Sequence, residues 1–157
     1  MYKGRCLLLV LFIMILLIGC DSDDNLPIYG EYTMDELIYH SSLNITSYEQ
    51  RKEQLEETQF VIKEDQFQII TTEDTFELNA PTYVTKKMDE DLVEAFQTAT
   101  SKLITLTDYK YKYQYDVYDN KSETDYRLYL LDDELWLASY TTTTEGTEVI
   151  LDLFRLK

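Results

Sequence analysis

Hydrophobic and polar residues follow two different periods along this chain, and one unbroken apolar run stands ahead of both. That run extends from Leu7 to Ile18, and the acidic, turn-like stretch Asp21-Ser22-Asp23-Asp24-Asn25 follows it closely. From about Ile28 onward the pattern is mainly period two, which places successive side chains on opposite faces of a strand. It predicts a first strand over 31–41, then short strands over 60–63, 66–71 and 75–78, with 83–85 extending the meander. Glu64-Asp65 and Glu73-Asp74 supply the turn chemistry between them.

Two helical segments interrupt the alternation. Ser47-Tyr48-Glu49-Gln50 fits a capping box, in which the serine accepts from a backbone amide and the glutamine reaches back, so a short polar surface helix is predicted to about residue 58. Asp89-Glu90-Asp91 precedes Leu92, Phe96, Ala99 and Leu103, whose spacing suits one face of an amphipathic helix. The acidic triplet complements the positive end of that helix.

The last third is the most regular. Tyr109, Tyr111, Tyr113, Tyr115 and Val117 alternate with Lys110, Lys112, Gln114 and Asp116, which predicts one strand with a tyrosine face. Strands over 126–131, 135–142 and 148–155 follow, with Asp132-Asp133 and Glu145-Gly146 marking tight turns. The expected fold class is mainly β with two helices: an antiparallel meander of about seven or eight strands forming a barrel or sandwich, helices on its rim.

The amino terminus has the layout of a secretory signal: a basic region at Tyr2-Lys3-Gly4-Arg5, an apolar run too short to span a bilayer, and a small residue at its end. Leu17-Ile18-Gly19-Cys20 resembles the lipobox of bacterial lipoproteins, with leucine, a small residue and cysteine at the matching positions. The resemblance implies cleavage after Gly19 and a diacylglycerol thioether on Cys20. Two or more acyl chains give stable attachment, since each buried methylene contributes about 0.8 kcal/mol. The expected organisation is a signal peptide over 1–19, a lipidated acidic tether over 20–27 and one β-rich domain over 28–157. The expected location is the cell membrane, on its extracytoplasmic face.

Gly30-Glu31-Tyr32 on the first strand, with the C-terminal meander, resembles lipocalin-like proteins, which begin on a Gly-x-Trp pattern. That resemblance implies a cup that holds a ligand. Tyrosine stands where the pattern has tryptophan, and the second helix ahead of the meander departs from a simple lipocalin order.

Composition narrows the chemistry. The chain of 157 residues is 45% hydrophobic, enough for a core, and holds only four glycines and two prolines, so no flexible linker divides it. Its net charge of -16 becomes -18 once Lys3 and Arg5 are removed. A nucleic acid or an anionic headgroup needs clustered Lys and Arg, so both are excluded as partners. Cys6 and Cys20 are the two cysteines, and neither lies in the globular region, which leaves it no disulfide and no reactive thiol.

Candidate sites each carry a plainer structural reading. The tyrosine face of Tyr109, Tyr111, Tyr113 and Tyr115, together with Trp136, could line a ligand groove or form core. His40 is the single histidine, beside Ser41 and Ser42, with no second histidine or cysteine for a metal site. Asp21, Asp23 and Asn25 imitate a calcium loop, but Leu26 and Tyr32 occupy the glycine and glutamate positions it requires. Carboxylate pairs, including those near Trp136 at Asp132, Asp133 and Glu134, are too abundant to mark a hydrolase. No catalytic residue, metal or cofactor is expected. The expected function is a membrane-anchored, non-enzymatic module binding a small ligand or a basic envelope partner. The alternatives are a pocketless structural or regulatory interaction protein, or a carboxylate-dependent hydrolase.

Overall fold

The computed structural model describes residues 27–157. The apolar run, the tether and the Leu17-Ile18-Gly19-Cys20 motif lie outside the described residues.

Strand β1 (Gly30–His40) leads into helix α1 (Tyr48–Leu55), then β2 (Gln59–Lys63), β3 (Gln66–Ile70), β4 (Thr75–Asn79) and β5 (Thr82–Lys87). Helix α2 (Glu90–Ala99) precedes β6 (Lys112–Asp119), β7 (Ser122–Leu131), β8 (Glu134–Thr142) and β9 (Glu148–Leu156). The nine strands among the described residues form one antiparallel sheet, in the order β4-β3-β2-β1-β9-β8-β7-β6-β5, curled into a half-barrel.

Two junctions make the curl. Gly30 to Thr33 pair with β2, whereas Met34 to His40 pair with β9, and register shifts between Met34 and Glu36 mark the corner. The second junction is Ala80-Pro81. Antiparallel pairing all round the sheet leaves β4 and β5 running in the same sense, so the chain crosses from one sheet edge to the other without reversing. Ala80 takes the left-handed conformation (φ 56°) and donates its N–H to Asp65. Tyr83 then spans the open seam, its hydroxyl donating to the carbonyls of Lys63 and Gln66.

Both faces of the β6–β9 region are covered, as period-two alternation of large apolar residues requires. Phe60, Ile62, Phe67, Tyr115, Val117, Leu128, Leu137 and Phe154 fill the concave interior. On the convex face Tyr129, Leu131, Trp136, Ala138, Ile150 and Leu153 pack with Phe96 and Ala99 of α2 and with Leu106. Helix α2 thus lies on a sheet face and not on the rim.

Several boundaries differ from the sequence expectation, and helix α1, expected to about residue 58, ends at Leu55. The strand expected over 109–117 begins at Lys112. Strand β7 begins at Ser122, because Asn120 and Lys121 both adopt positive φ and close a tight hairpin. Residues 82–87 form a full strand, bringing the count to nine. Helix α2 ends at Ala99, where Thr100 caps it and Ser101 and Lys102 turn left-handed, so Leu103 stands exposed instead of extending the apolar face.

Candidate functional site

The alternation of β6 that puts Tyr113, Tyr115 and Val117 on the concave side puts Gln114 and Asp116 on the convex side. There they meet Lys86 from β5 and Arg127 from β7, the strands on either side. Asp116 is 1% exposed, and its Oδ2 lies 2.5 Å from Nζ of Lys86. Its Oδ1 accepts from Nε2 of Gln114 at 2.5 Å and faces the Arg127 guanidinium at 3.4 Å. Asp116 in turn holds the Lys86 ammonium above the usual lysine range.

Arg127 is the hub. It also binds Glu123 at 2.8 Å and Glu148 at 2.9 Å, and its guanidinium stacks 4.4 Å from the ring centre of Tyr140. Burial and this carboxylate cage act on it in opposite senses, and the net effect keeps it protonated more firmly than usual. The hydroxyls of Tyr140 and Tyr129 share a hydrogen bond, and burial pushes both phenols above the usual range.

These groups floor a cleft of about 650 Å³ whose other wall is α2, through Asp91, Glu94, Ala95 and Thr98. Its shape comes from the helix: Leu92 and Phe96 seat α2 on the sheet, while small Ala95 and Ala99 leave a gap over the polar floor. The cleft offers a guanidinium, an ammonium, phenolic hydroxyls and carboxylates within a few ångströms of one another. Such a set can recognise a ligand rich in hydrogen-bonding groups, and it has no nucleophile aligned with a base.

A second polar cluster sits at the end of the half-barrel where β1 gives way to α1. Asp152, 2% exposed on β9, receives Nδ1 of His40 at 2.7 Å, Nε of Arg51 at 2.8 Å and Nδ2 of Asn44 at 3.3 Å. The other ring nitrogen of His40, Nε2, lies 2.8 Å from the carbonyl of Thr46. Both imidazole nitrogens are therefore spent on oxygen acceptors, and neither is left to activate Ser41 or Ser139. Ser41 is used locally, its Oγ accepting from the amide of Leu43.

The sequence candidates separate. Tyr109 and Trp136 come together on the convex side, rings 5.5 Å apart, and both donate to Oε2 of Glu134. Burial and this carboxylate push the Tyr109 phenol up to about 12. Tyr113 and Tyr115 belong to the concave core, and Tyr111 stands exposed before β6 with Nζ of Lys110 over its ring. The five residues form no common surface. Gly19 and Cys20 lie outside the described residues.

Nothing in the residue pattern singles out Lys86, Gln114, Asp116 or Arg127, which read as the solvent face of strands. Asp152 alone carries a signal, as a lone acid within Val149-Ile150-Leu151-Asp152-Leu153-Phe154. Among the described residues no helix is long and apolar enough to cross a membrane, and no cluster of metal-binding side chains occurs. Comparison of the chain with protein-family models, with curated proteins and with solved structures finds no match.

Proposed function

We propose that the protein is a lipid-anchored, extracytoplasmic, non-enzymatic module that binds a small, polar, hydrogen-bonding ligand in the cleft between α2 and β6–β8. The polar floor of that cleft carries the reading. Burying Asp116, Gln114 and Arg127 costs several kcal/mol in desolvation, and an apolar set of similar volume is often as stable or more so. Stability alone therefore does not account for them. The concave interior is filled by side chains, so a ligand has its place outside the barrel, and a lipocalin-like cup is not the basis of the proposal.

The lipobox-like Leu17-Ile18-Gly19-Cys20, behind a basic region and an apolar run, supports the anchor. The non-enzymatic reading is supported by His40, whose two nitrogens are occupied, and by Glu123 and Glu148, which share one guanidinium.

Two experiments test the two halves. Cys20→Ser abolishes metabolic labelling with palmitate and leaves unprocessed precursor; unchanged labelling refutes the anchor. Native mass spectrometry of the protein isolated from its own host shows an adduct in the wild type that is lost in Gln114→Leu. A bare wild-type mass refutes the small-ligand reading.

A further inference from the structure

The second cluster lies beneath a different surface. The loop joining β1 to α1 carries Leu43, more than half exposed, and Ile45, fully exposed. A groove of about 750 Å³ is lined by Ile45, by Phe76 and Leu78 of β4, by Tyr126 of β7 and by Asp119, Glu123 and Asp125. Phe76 is itself 39% exposed although its ring packs on Phe67 and Tyr126. An isolated exposed apolar residue needs no explanation, but Ile45 and Phe76 border one groove and together form a surface suited to being covered.

Charge indicates what covers it. Of the acids in the groove, Asp152 is paired with Arg51 and Glu123 with Arg127. Asp119 and Asp125 make no ion pair among the described residues, and the one cation lining the groove, Arg51, is spent on Asp152. Thr46 adds a buried hydroxyl with no hydrogen-bond partner among the described residues. The groove thus combines unbalanced negative charge with exposed aliphatic and aromatic carbon.

We infer that this groove docks a basic amphipathic segment of another protein, its apolar side chains against Ile45 and Phe76 and its lysines or arginines against Asp119 and Asp125. An occupant must reach over the rim to bury Ile45, which favours a chain segment over a molecule held within the groove. The arrangement is the helix-in-groove mode with acidic steering. The inference is independent of whether the cleft under α2 takes a ligand.

The test uses the full chain in a non-ionic detergent and a fluorescent Lys/Leu amphipathic peptide of about 12 residues, roughly three helical turns, with a Glu/Leu peptide of the same pattern as control. The Lys/Leu peptide binds and the Glu/Leu peptide does not. Ile45→Asp, at a position with no packing to lose, weakens binding at least about tenfold. Asp119→Lys combined with Asp125→Lys does the same and flattens the salt dependence. Asp133→Lys, in the exposed β7–β8 turn, leaves affinity unchanged. Equal binding of both peptides overturns the inference, as does an undiminished affinity of Ile45→Asp. A loss in Asp133→Lys as large as that in the double variant also overturns it, because it reduces the effect to non-specific attraction by an acidic protein.

Discussion

Arg51, on a helix that is otherwise almost wholly solvated, places its Nε 2.8 Å from Oδ2 of Asp152, a carboxylate buried on β9. The pair ties α1 across the end of the half-barrel, assisted by Leu55, the helix's one buried residue, and by the Tyr48 hydroxyl, which donates to the carbonyl of Leu37. Propensity contributes little to so short a helix, so its position rests on these contacts. Arg51→Ala is expected to cost about 2 kcal/mol, since His40 and Asn44 still bind the acid. Asp152→Ala is expected to cost about 3–5 kcal/mol, because it leaves several polar partners unmatched. In urea unfolding the double variant should lose less than the sum of the two; strict additivity would show that the residues do not interact.

The cleft floor behaves differently from a surface charge network. Asp116→Ala strips the shared partner from Lys86, Gln114 and Arg127 and should cost about 3 kcal/mol. Lys86→Met should cost only about 1 kcal/mol, since its ammonium is half-exposed and Arg127 still faces the acid. Equal losses in thermal or urea denaturation would contradict the assignment of Asp116 as the buried centre.

Gly30 and Tyr32 are coupled through space. A Cβ at Gly30 would lie 2.8 Å from the ring of Tyr32, whose hydroxyl donates to the carbonyl of Ile28 at 3.0 Å. Gly30→Ala must push that ring aside and lose the bond, for an expected cost of about 1 kcal/mol. In Tyr32→Phe the ring is no longer held there, so adding Gly30→Ala should then cost little. A full penalty in both backgrounds would place the strain elsewhere.

Tyrosine ionisation opposes the fold. Tyr109 is pushed up to about 12, and burial holds Tyr32, Tyr83, Tyr115, Tyr126, Tyr129 and Tyr140 above the usual value of 10.0. Their folded-state values exceed the unfolded ones, so this contribution to stability is intact below pH 10.0 and is lost as pH rises through the raised values. An alkaline titration followed by tyrosinate absorbance should therefore lag that of the urea-unfolded chain, ending in cooperative unfolding. Superimposable curves would refute the burial of these phenols.

Much of the architecture was legible from local pattern. Alternation predicted β1, β2, β3, β8 and β9 to within about two residues, and Ser47 and Gln50 form the expected capping box. Asp89 caps α2 by accepting from the amide of Leu92. Errors fell where backbone conformation departs from the period: the positive φ at Asn120, Lys121, Ser101 and Lys102 comes at residues other than glycine, and hydrophobicity does not report it.

Residue order by itself determined the mainly β class, the two helices, the acidic surface and the signal-like start, because each depends on composition or on neighbours a few positions apart. Only the tertiary structure decided which polar residues meet. Lys86, Asp116 and Arg127 are brought together by cross-strand pairing and covered by α2, and His40, Arg51 and Asp152 by the corner in β1. The same long-range geometry separates Tyr109 and Trp136 from Tyr113 and Tyr115. A period of two fixes the side of the strand, but the curl of the sheet and the placing of one helix determine what each side faces.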